Sequence, residues 1–265
     1  MKKTILITGS TDGIGLLTAK KLSMLGNKIL LHGRNKNKLI AISRMLNNAS
    51  TYEADFSDMA AVEDMSQKIL LKNKSIDVLI NNAGILKTPN TKTIQNRDIR
   101  FDVNTLAPYI LTNNLLPIIP KTGMILNLSS AAQASFNISS MSFFVQMESM
   151  TAYSQSKLAI TIWSQEMARK HPLGPAFISI NPGSLLATKM VKEGFGIEGK
   201  NINIGADILV KAATDKTFFS YSGAYYDNDI REFSSPHQLA DNRSFCNNLM
   251  EKINSITQKY IKNSL

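Results

Sequence analysis

The chain has 265 residues, with 30 Lys+Arg against 20 Asp+Glu and a formal net charge of +10. Its single cysteine, Cys246, excludes an internal disulfide and points to a reducing compartment, with cytoplasm as the expected location. A chain of this length can bury a substantial core as one large α/β domain or two small ones. No segment approaches the roughly 18 uninterrupted apolar residues of a membrane span. MKKTILI starts like a signal peptide, but its apolar stretch is only Ile5 to Ile7, and it reads better as a first strand. The basic balance suits either a nucleic-acid partner or a surface that attracts phosphorylated small molecules. Lys2, Lys3, Lys20, Lys21, Lys36, Lys38, Lys72 and Lys74 are scattered without interleaved aromatics, which argues against nucleic acid.

Along the chain, short apolar runs alternate with helix-length segments. TILIT, GIGLLTAKKLSML, KILLHG, NKNKLIAISRMLNN, STYEAD, a helix over 58–72 and IDVLINNAG make a βαβαβαβ rhythm. A long helix near 98–116, the strand GMILNLSS, a helix over 151–170 and the strand AFISINPG follow. A Gly-rich stretch at 192–205, a helix near 203–213, a short strand around GAYYD and a helical segment near 244–260 complete the chain. This alternation predicts a parallel sheet covered on both faces, with its ligand site beyond the carboxyl ends of the strands. No linker or repeat divides the chain, so residues 1–265 read as one domain.

Residues 8–15, TGSTDGIG, lie between the first strand and first helix. Gly9, Gly13 and Gly15 match neither G-x-G-x-x-G nor the P-loop pattern. A strand ending at Thr8 and a helix starting near Gly13 would present free N–H groups and the positive helix end to a pyrophosphate. A tight turn with no ligand is the alternative. After the second strand, an NAD-selecting acidic residue is replaced by LHGRN. Arg34 offers a guanidinium suited to the 2′-phosphate of NADP, or is a solvated surface arginine. In YSQSK, a spacing of four puts Tyr153 and Lys157 on one helical face, where an ammonium lowers the pKa of a phenol. An exposed helix face gives the same pattern.

The combination of TGSTDGIG, NNAG (81–84), VNTLAPY (103–109), LNLSS, YSQSK and NPGSLLAT (181–188), in that order, resembles the short-chain dehydrogenase/reductase family over nearly the whole chain. AYSQSKLA and the long interval before Tyr153 resemble the retinol dehydrogenase-like branch and its bacterial relatives. The resemblance implies a single Rossmann-type doubly wound parallel sheet of about seven strands, with helices on both faces. It implies an NADP-dependent oxidoreductase, NAD being the alternative cofactor, that interconverts a small-molecule carbonyl and an alcohol. Tyr153 would exchange the proton, Ser130 (rather than Ser129) would hydrogen-bond the substrate oxygen, and Lys157 would depress the tyrosine pKa and bind the nicotinamide ribose. Asn104 would hold a water feeding protons toward Lys157. Pro108 lacks an N–H for the Asn104 carbonyl, which either frees that carbonyl for water or only kinks the helix.

By the same resemblance, Gly9, Ile14 and Gly15 form the phosphate turn, Arg34 reads the 2′-phosphate and Asp55 meets the adenine. Asn82 lies beside the adenosine half, or with Asn81 buttresses the sheet. Pro182, Gly183 and Thr188 line the nicotinamide side. Asp12 departs from the basic residue that NADP-preferring members often carry there, and argues against NADP. A homodimer or homotetramer pairing through the helices that carry Asn104 and Tyr153 is a further expectation by resemblance. A catalytically silent dinucleotide-binding regulatory protein is the alternative function.

The insert near 131–150 carries Met141, Phe143, Phe144, Met147 and Met150, which either line a pocket for a bulky apolar substrate or bury themselves against the domain. The stretch near 189–205 has the composition of a flap that closes over substrate. His32, His171 and His237 are read as structural or surface residues, and no metal site is expected.

Overall fold

The computed structural model describes residues 2–262. Its strands are β1 (Thr4–Ile7), β2 (Lys28–Gly33), β3 (Ala49–Glu53), β4 (Val78–Asn81), β5 (Met124–Leu128), β6 (Ala176–Asn181), β7 (Tyr225–Asp227) and β8 (Glu232–Ser234). The helices are α1 (Gly13–Met24), α2 (Lys36–Ser43), α3 (Met59–Lys72), α4 (Ile99–Phe101), α5 (Ala107–Leu115), α6 (Ser149–Lys170), α7 (Lys189–Phe195), α8 (Asn203–Thr214) and α9 (Arg243–Thr257). The strands form one sheet in the order β3-β2-β1-β4-β5-β6-β7-β8. All neighbours are parallel except the β7–β8 pair. The expectation of about seven strands is therefore corrected to eight. The extra one is a three-residue antiparallel edge strand, too short and too polar to leave a periodic signal.

Alternation along the strands sends side chains to two separate cores. Leu6, Leu30, Leu79, Ile125 and Phe177 face the side covered by α3, α5, α6 and α9. Ile5, Ile7, Ile29, Leu31, Ile80, Leu126 and Ile178 face α1, α2 and α8. Burial on both faces explains why these strands read as continuous apolar runs. On the first side Trp163 is fully buried and meets Tyr109 edge-on at 5.5 Å.

Helix starts follow the side chains that cap them. Asn35, Asp58, Asp98, Thr188 and Asn242 each accept a backbone N–H from the first turn that follows. The helix expected near 98–116 is not continuous. Between α4 and α5, residues Asp102–Leu106 form a π-helical turn in which the Ala107 N–H reaches back to Asp102. Pro108, with no N–H of its own, lies just beyond that turn and supplies the physical reason for the widening. The segment is braced by two buried ion pairs. Arg97 holds Asp102 at 2.6 and 3.1 Å, and Arg100 Nε holds Asp98 at 2.8 Å.

The crossing from β3 to β4 reverses the strand order at β1, so the β1/β4 crevice is the switch point where such sheets take ligands. The turn after β1, the loops after β4 and β5, and the start of α6 all lie at that carboxyl edge.

Candidate functional site

The turn after β1 is packed against the loop after β4. A Cβ on Gly9, whose φ is +63°, would lie 2.9 Å from the Ala83 Cα, and one on Gly15 would lie 2.4 Å from both the Gly9 oxygen and Asn82 Nδ2. Asn82 donates to the carbonyls of Thr8 and Gly9 at 2.8 and 3.1 Å, and the Ala83 N–H donates to Thr8 Oγ1. Asn82 thus buttresses the turn. Asn81 faces the other way, donating to Asn127 at 2.8 Å and Thr112 at 3.1 Å. The Gly9 N–H is also taken, by Nδ1 of His32 at 3.1 Å. Gly9 therefore serves the turn through shape. The amides of Ile14 and Gly15 belong to the first turn of α1, where helical N–H groups have no intrahelical acceptor. Asp12 caps the same turn, its carboxylate accepting the Gly13 N–H at 2.7 Å.

Arg34 and Asp55 follow β2 and β3 on the adjoining edge. Both are largely solvent-exposed, and their charged groups are 3.9 Å apart. The Asp55 carboxylate accepts from the Ser57 N–H and hydroxyl, which fixes it in a local turn. His32 connects this edge to the glycine turn. It is buried, donates from Nε2 to the Ala54 carbonyl at 3.2 Å, accepts from Gly9 at Nδ1, and stacks on Phe56 at 4.1 Å. Those two bonds assign its neutral tautomer, and burial lowers its pKa to about 4. The sequence signal available was the position itself, since a buried strand histidine must find partners for both ring nitrogens.

Ser130 follows β5 and Tyr153 and Lys157 lie in the first turns of α6. The Ser130 side chain lies near enough to the Tyr153 phenol to favour its ionised form. Ser130 Oγ also accepts the Ala132 N–H at 3.1 Å, so its own proton is free to point at the phenol oxygen. Ser129 instead turns into α6, bonding Thr161 Oγ1 at 2.6 Å. Lys157 is buried, its Nζ lying 5.5 Å from the Tyr153 ring centroid and donating to the Leu128 carbonyl at 2.7 Å. Burial lowers the Lys157 pKa to about 8. Burial also pushes the Tyr153 phenol up, and the hydrogen bond from Ser130 opposes that rise. Desolvation is the larger of these two effects.

Asn104 lies in the π turn. Its amide closes a pair of bonds with Ile85, accepting the N–H at 2.8 Å and donating to the carbonyl at 2.9 Å, and it also donates to Ser156 Oγ. Ser156 in turn donates to the Tyr153 carbonyl. The side chain of Asn104 is therefore engaged in tying the loop after β4 to α6, and only its main-chain carbonyl is left as a candidate to hold water.

The loop after β6 brings Pro182, Gly183 and Thr188 to the same edge. The Gly183 N–H donates to Asn181 Oδ1 at 3.2 Å, and the Thr188 hydroxyl caps α7 while its methyl faces Gly13. Residues 227–229, Asp-Asn-Asp, pin this loop. Asn228 donates to the carbonyls of Pro182 and Ile204, and Asp229 accepts from the Ser184 N–H and hydroxyl. The expected flap is anchored at both feet and carries a helix, α7, between them. In the insert, Met141 is buried in the core while Phe143 and Met150 are exposed. None of the residues 227–229 was singled out in the sequence, where they look like ordinary turn formers.

A model of the short chain dehydrogenase family matches residues 3–196. Human Retinol dehydrogenase 13 is 30% identical over 193 residues, which cover 68% of this chain and 58% of that protein. Human Polyprenol dehydrogenase is 27% identical over 262 residues, covering 89% and 79%. Among solved structures, an uncharacterized protein from Mycobacterium paratuberculosis aligns with a TM-score of 0.81 at 24% identity, covering 97% of this chain and 93% of that one. A short chain dehydrogenase from Burkholderia cenocepacia J2315, in complex with NADP, aligns with a TM-score of 0.66 at 22% identity, covering 85% and 95%. These two likenesses speak for the fold. With its glycine turn, its Ser-Tyr-Lys cluster and a family match across most of its length, the chain belongs to the short-chain dehydrogenase family.

Proposed function

We propose that the chain interconverts a carbonyl and an alcohol by hydride transfer with NADP, using Ser130, Tyr153, Lys157 and Asn104. The observation that carries this reading is the grouping of Ser130, Tyr153 and Lys157 at the carboxyl edge of the sheet, with Lys157 Nζ buried 5.5 Å from the Tyr153 ring centroid and the Ser130 side chain near the phenol. A phenol that exchanges a proton needs a donor to steady its anion and a nearby cation, and both are present.

The residues at the turn suit a dinucleotide. Gly9 and Gly15 leave no space for a Cβ, so the turn keeps a backbone path close to α1, and the Ile14 and Gly15 amides point from the positive end of that helix. Arg34, exposed beyond β2, would take the 2′-phosphate, and Asp55 would meet the adenine. Pro182, Gly183 and Thr188 would line the nicotinamide side. A bound nicotinamide supplies the hydride for reduction and accepts it in oxidation. In reduction Tyr153 gives its proton to the carbonyl oxygen while Ser130 donates a hydrogen bond to that oxygen, and the reverse steps serve oxidation. Lys157, whose pKa burial lowers to about 8, would pass protons toward the phenol, and the Asn104 carbonyl would hold the water that recharges it.

Relatives named for retinol and polyprenol suggest a bulky apolar alcohol or carbonyl as substrate. Exposed Phe143 and Met150 on the insert agree with that class. The cofactor assignment is tested by NADPH and NADH oxidation against carbonyls graded in size and apolarity, with Arg34→Ala beside the parent chain. We expect NADPH to be favoured and the substitution to narrow the ratio of the two cofactors by about 10-fold or more, the scale of one charge-assisted contact. An unchanged ratio removes Arg34 as the reader of the phosphate.

A further inference from the structure

Ser130 is held from behind by groups that no family motif in the chain includes. Its carbonyl oxygen accepts two hydrogen bonds, one from the Tyr225 hydroxyl at 3.1 Å and one from Gln133 Nε2 at 3.0 Å. Tyr225 comes from β7, two strands away from β5, and is buried. Gln133 is itself tied down, its Oε1 accepting the His237 N–H at 3.3 Å from the segment that precedes α9. We propose that Tyr225 and Gln133 are positioning residues for catalysis, setting the direction in which the Ser130 hydroxyl points at Tyr153.

The bonds around Ser130 leave its peptide little freedom. Oγ accepts from Ala132 and the carbonyl accepts from Tyr225 and Gln133, so the Ser130 peptide is held from both sides while its hydroxyl proton stays available to the nearby phenol. Rotation of the Ser130 peptide would swing that hydroxyl away, and two donors converging on its carbonyl oppose such rotation. Tyr225 does not itself act as an acid. Its proton is committed to a main-chain oxygen, and burial together with the nearby carboxylates of Asp227 and Asp229 pushes its pKa up. Toward Tyr153 the neighbouring charged group is Lys157 of the same helix. The reach of the bracket is long in sequence, since residues 225 and 237 act on a serine about a hundred positions earlier.

This inference rests on the catalytic reading of Ser130 and Tyr153, and the experiment separates the two. Alcohol oxidation is followed across pH for the parent chain, Tyr225→Phe, Gln133→Leu and Tyr153→Phe, with thermal melting of each. Tyr225→Phe keeps the ring that fills the core and removes only the donor. With the serine less well aimed at the phenolate, kcat should fall by about 10-fold or more while substrate KM changes little, as for misplacement of a reacting group. The rise of rate with pH should move upward by about half a unit or more, because the phenolate loses part of its stabilisation. Gln133→Leu should do the same. Parent-like kcat and pH profile in both variants, with Tyr153→Phe inactive, overturn the positioning role and leave the catalytic reading intact. A rate loss that follows a lowered melting temperature without any shift of the profile also overturns it. A fully active Tyr153→Phe removes both.

Discussion

His32 joins the ends of three strands through one imidazole, accepting from Gly9 after β1 and donating to Ala54 after β3. Its depressed pKa makes that junction sensitive to acid. The folded chain keeps the ring neutral down to about pH 4, while in the unfolded chain the ring takes up a proton near its ordinary value of about 6.5. Between those limits the unfolded state binds more protons, so stability falls as the pH drops, by up to about 3 kcal/mol from this group. Urea unfolding at several pH values should show this slope, and His32→Gln, whose amide offers one acceptor and one donor, should flatten it. Identical slopes in the two proteins would mean that His32 does not carry the linkage. At this scale Ser130, Tyr153 and Lys157 were legible because each lies within a short patterned stretch. His32, Gln133 and Tyr225 were not, because their partners come from distant segments and no local spacing announces them.

At the scale of elements, the helix that carries Asn104 shows where periodicity stops being informative. Apolar spacing over 98–116 suits one continuous helix, and Pro108 alone hints at the π turn that interrupts it. The turn is supported by the Arg97–Asp102 and Arg100–Asp98 pairs, whose side chains are almost wholly buried. Asp98 also caps α4 through the Arg100 N–H. Asp98→Ala would leave the Arg100 guanidinium buried without its counterion, one of its nitrogens already lacking a partner. Loss of one member of such a pair costs about 3–5 kcal/mol. Denaturant unfolding should register a loss of that size, and a loss below about 1 kcal/mol would contradict the account of the brace. Strands β1, β2, β4, β5 and β6 were legible from their apolar runs, β3 from its place in the alternation, and β7 from the short stretch GAYYD. Strand β8 was not, since its three residues acquire strand form only by pairing with β7.

For the whole molecule, the alternation of strands and helices was enough to place the glycine turn, NNAG, LNLSS, YSQSK and NPGSLLAT at one edge of one sheet, because parallel strands put all their carboxyl ends on the same side. What could not be read was how the C-terminal segment folds back. Helix α9 packs Cys246, Leu249 and Ile253 into the core beside α6, and Asn254 and Tyr260 bond to Tyr109 and Asn114 of α5. Residues of α5 and α6 are thereby packed against the C-terminal segment of the same chain. Among the described residues no helix is long and apolar enough to cross a membrane. The surplus of positive charge is consistent with attraction of a phosphorylated cofactor, and Asp12, capping the helix at the phosphate turn, works locally against it.

Tyr153 carries the proton on which the proposed reaction depends. The most direct measurement is NADPH binding, followed by fluorescence, together with carbonyl reduction by Tyr153→Phe and by the parent chain. The variant is expected to bind NADPH within about 3-fold of the parent, since the ring is kept, and to lose turnover by a factor of about 100 or more, the scale of a missing general acid. Turnover at the parent rate in Tyr153→Phe would contradict this role for Tyr153.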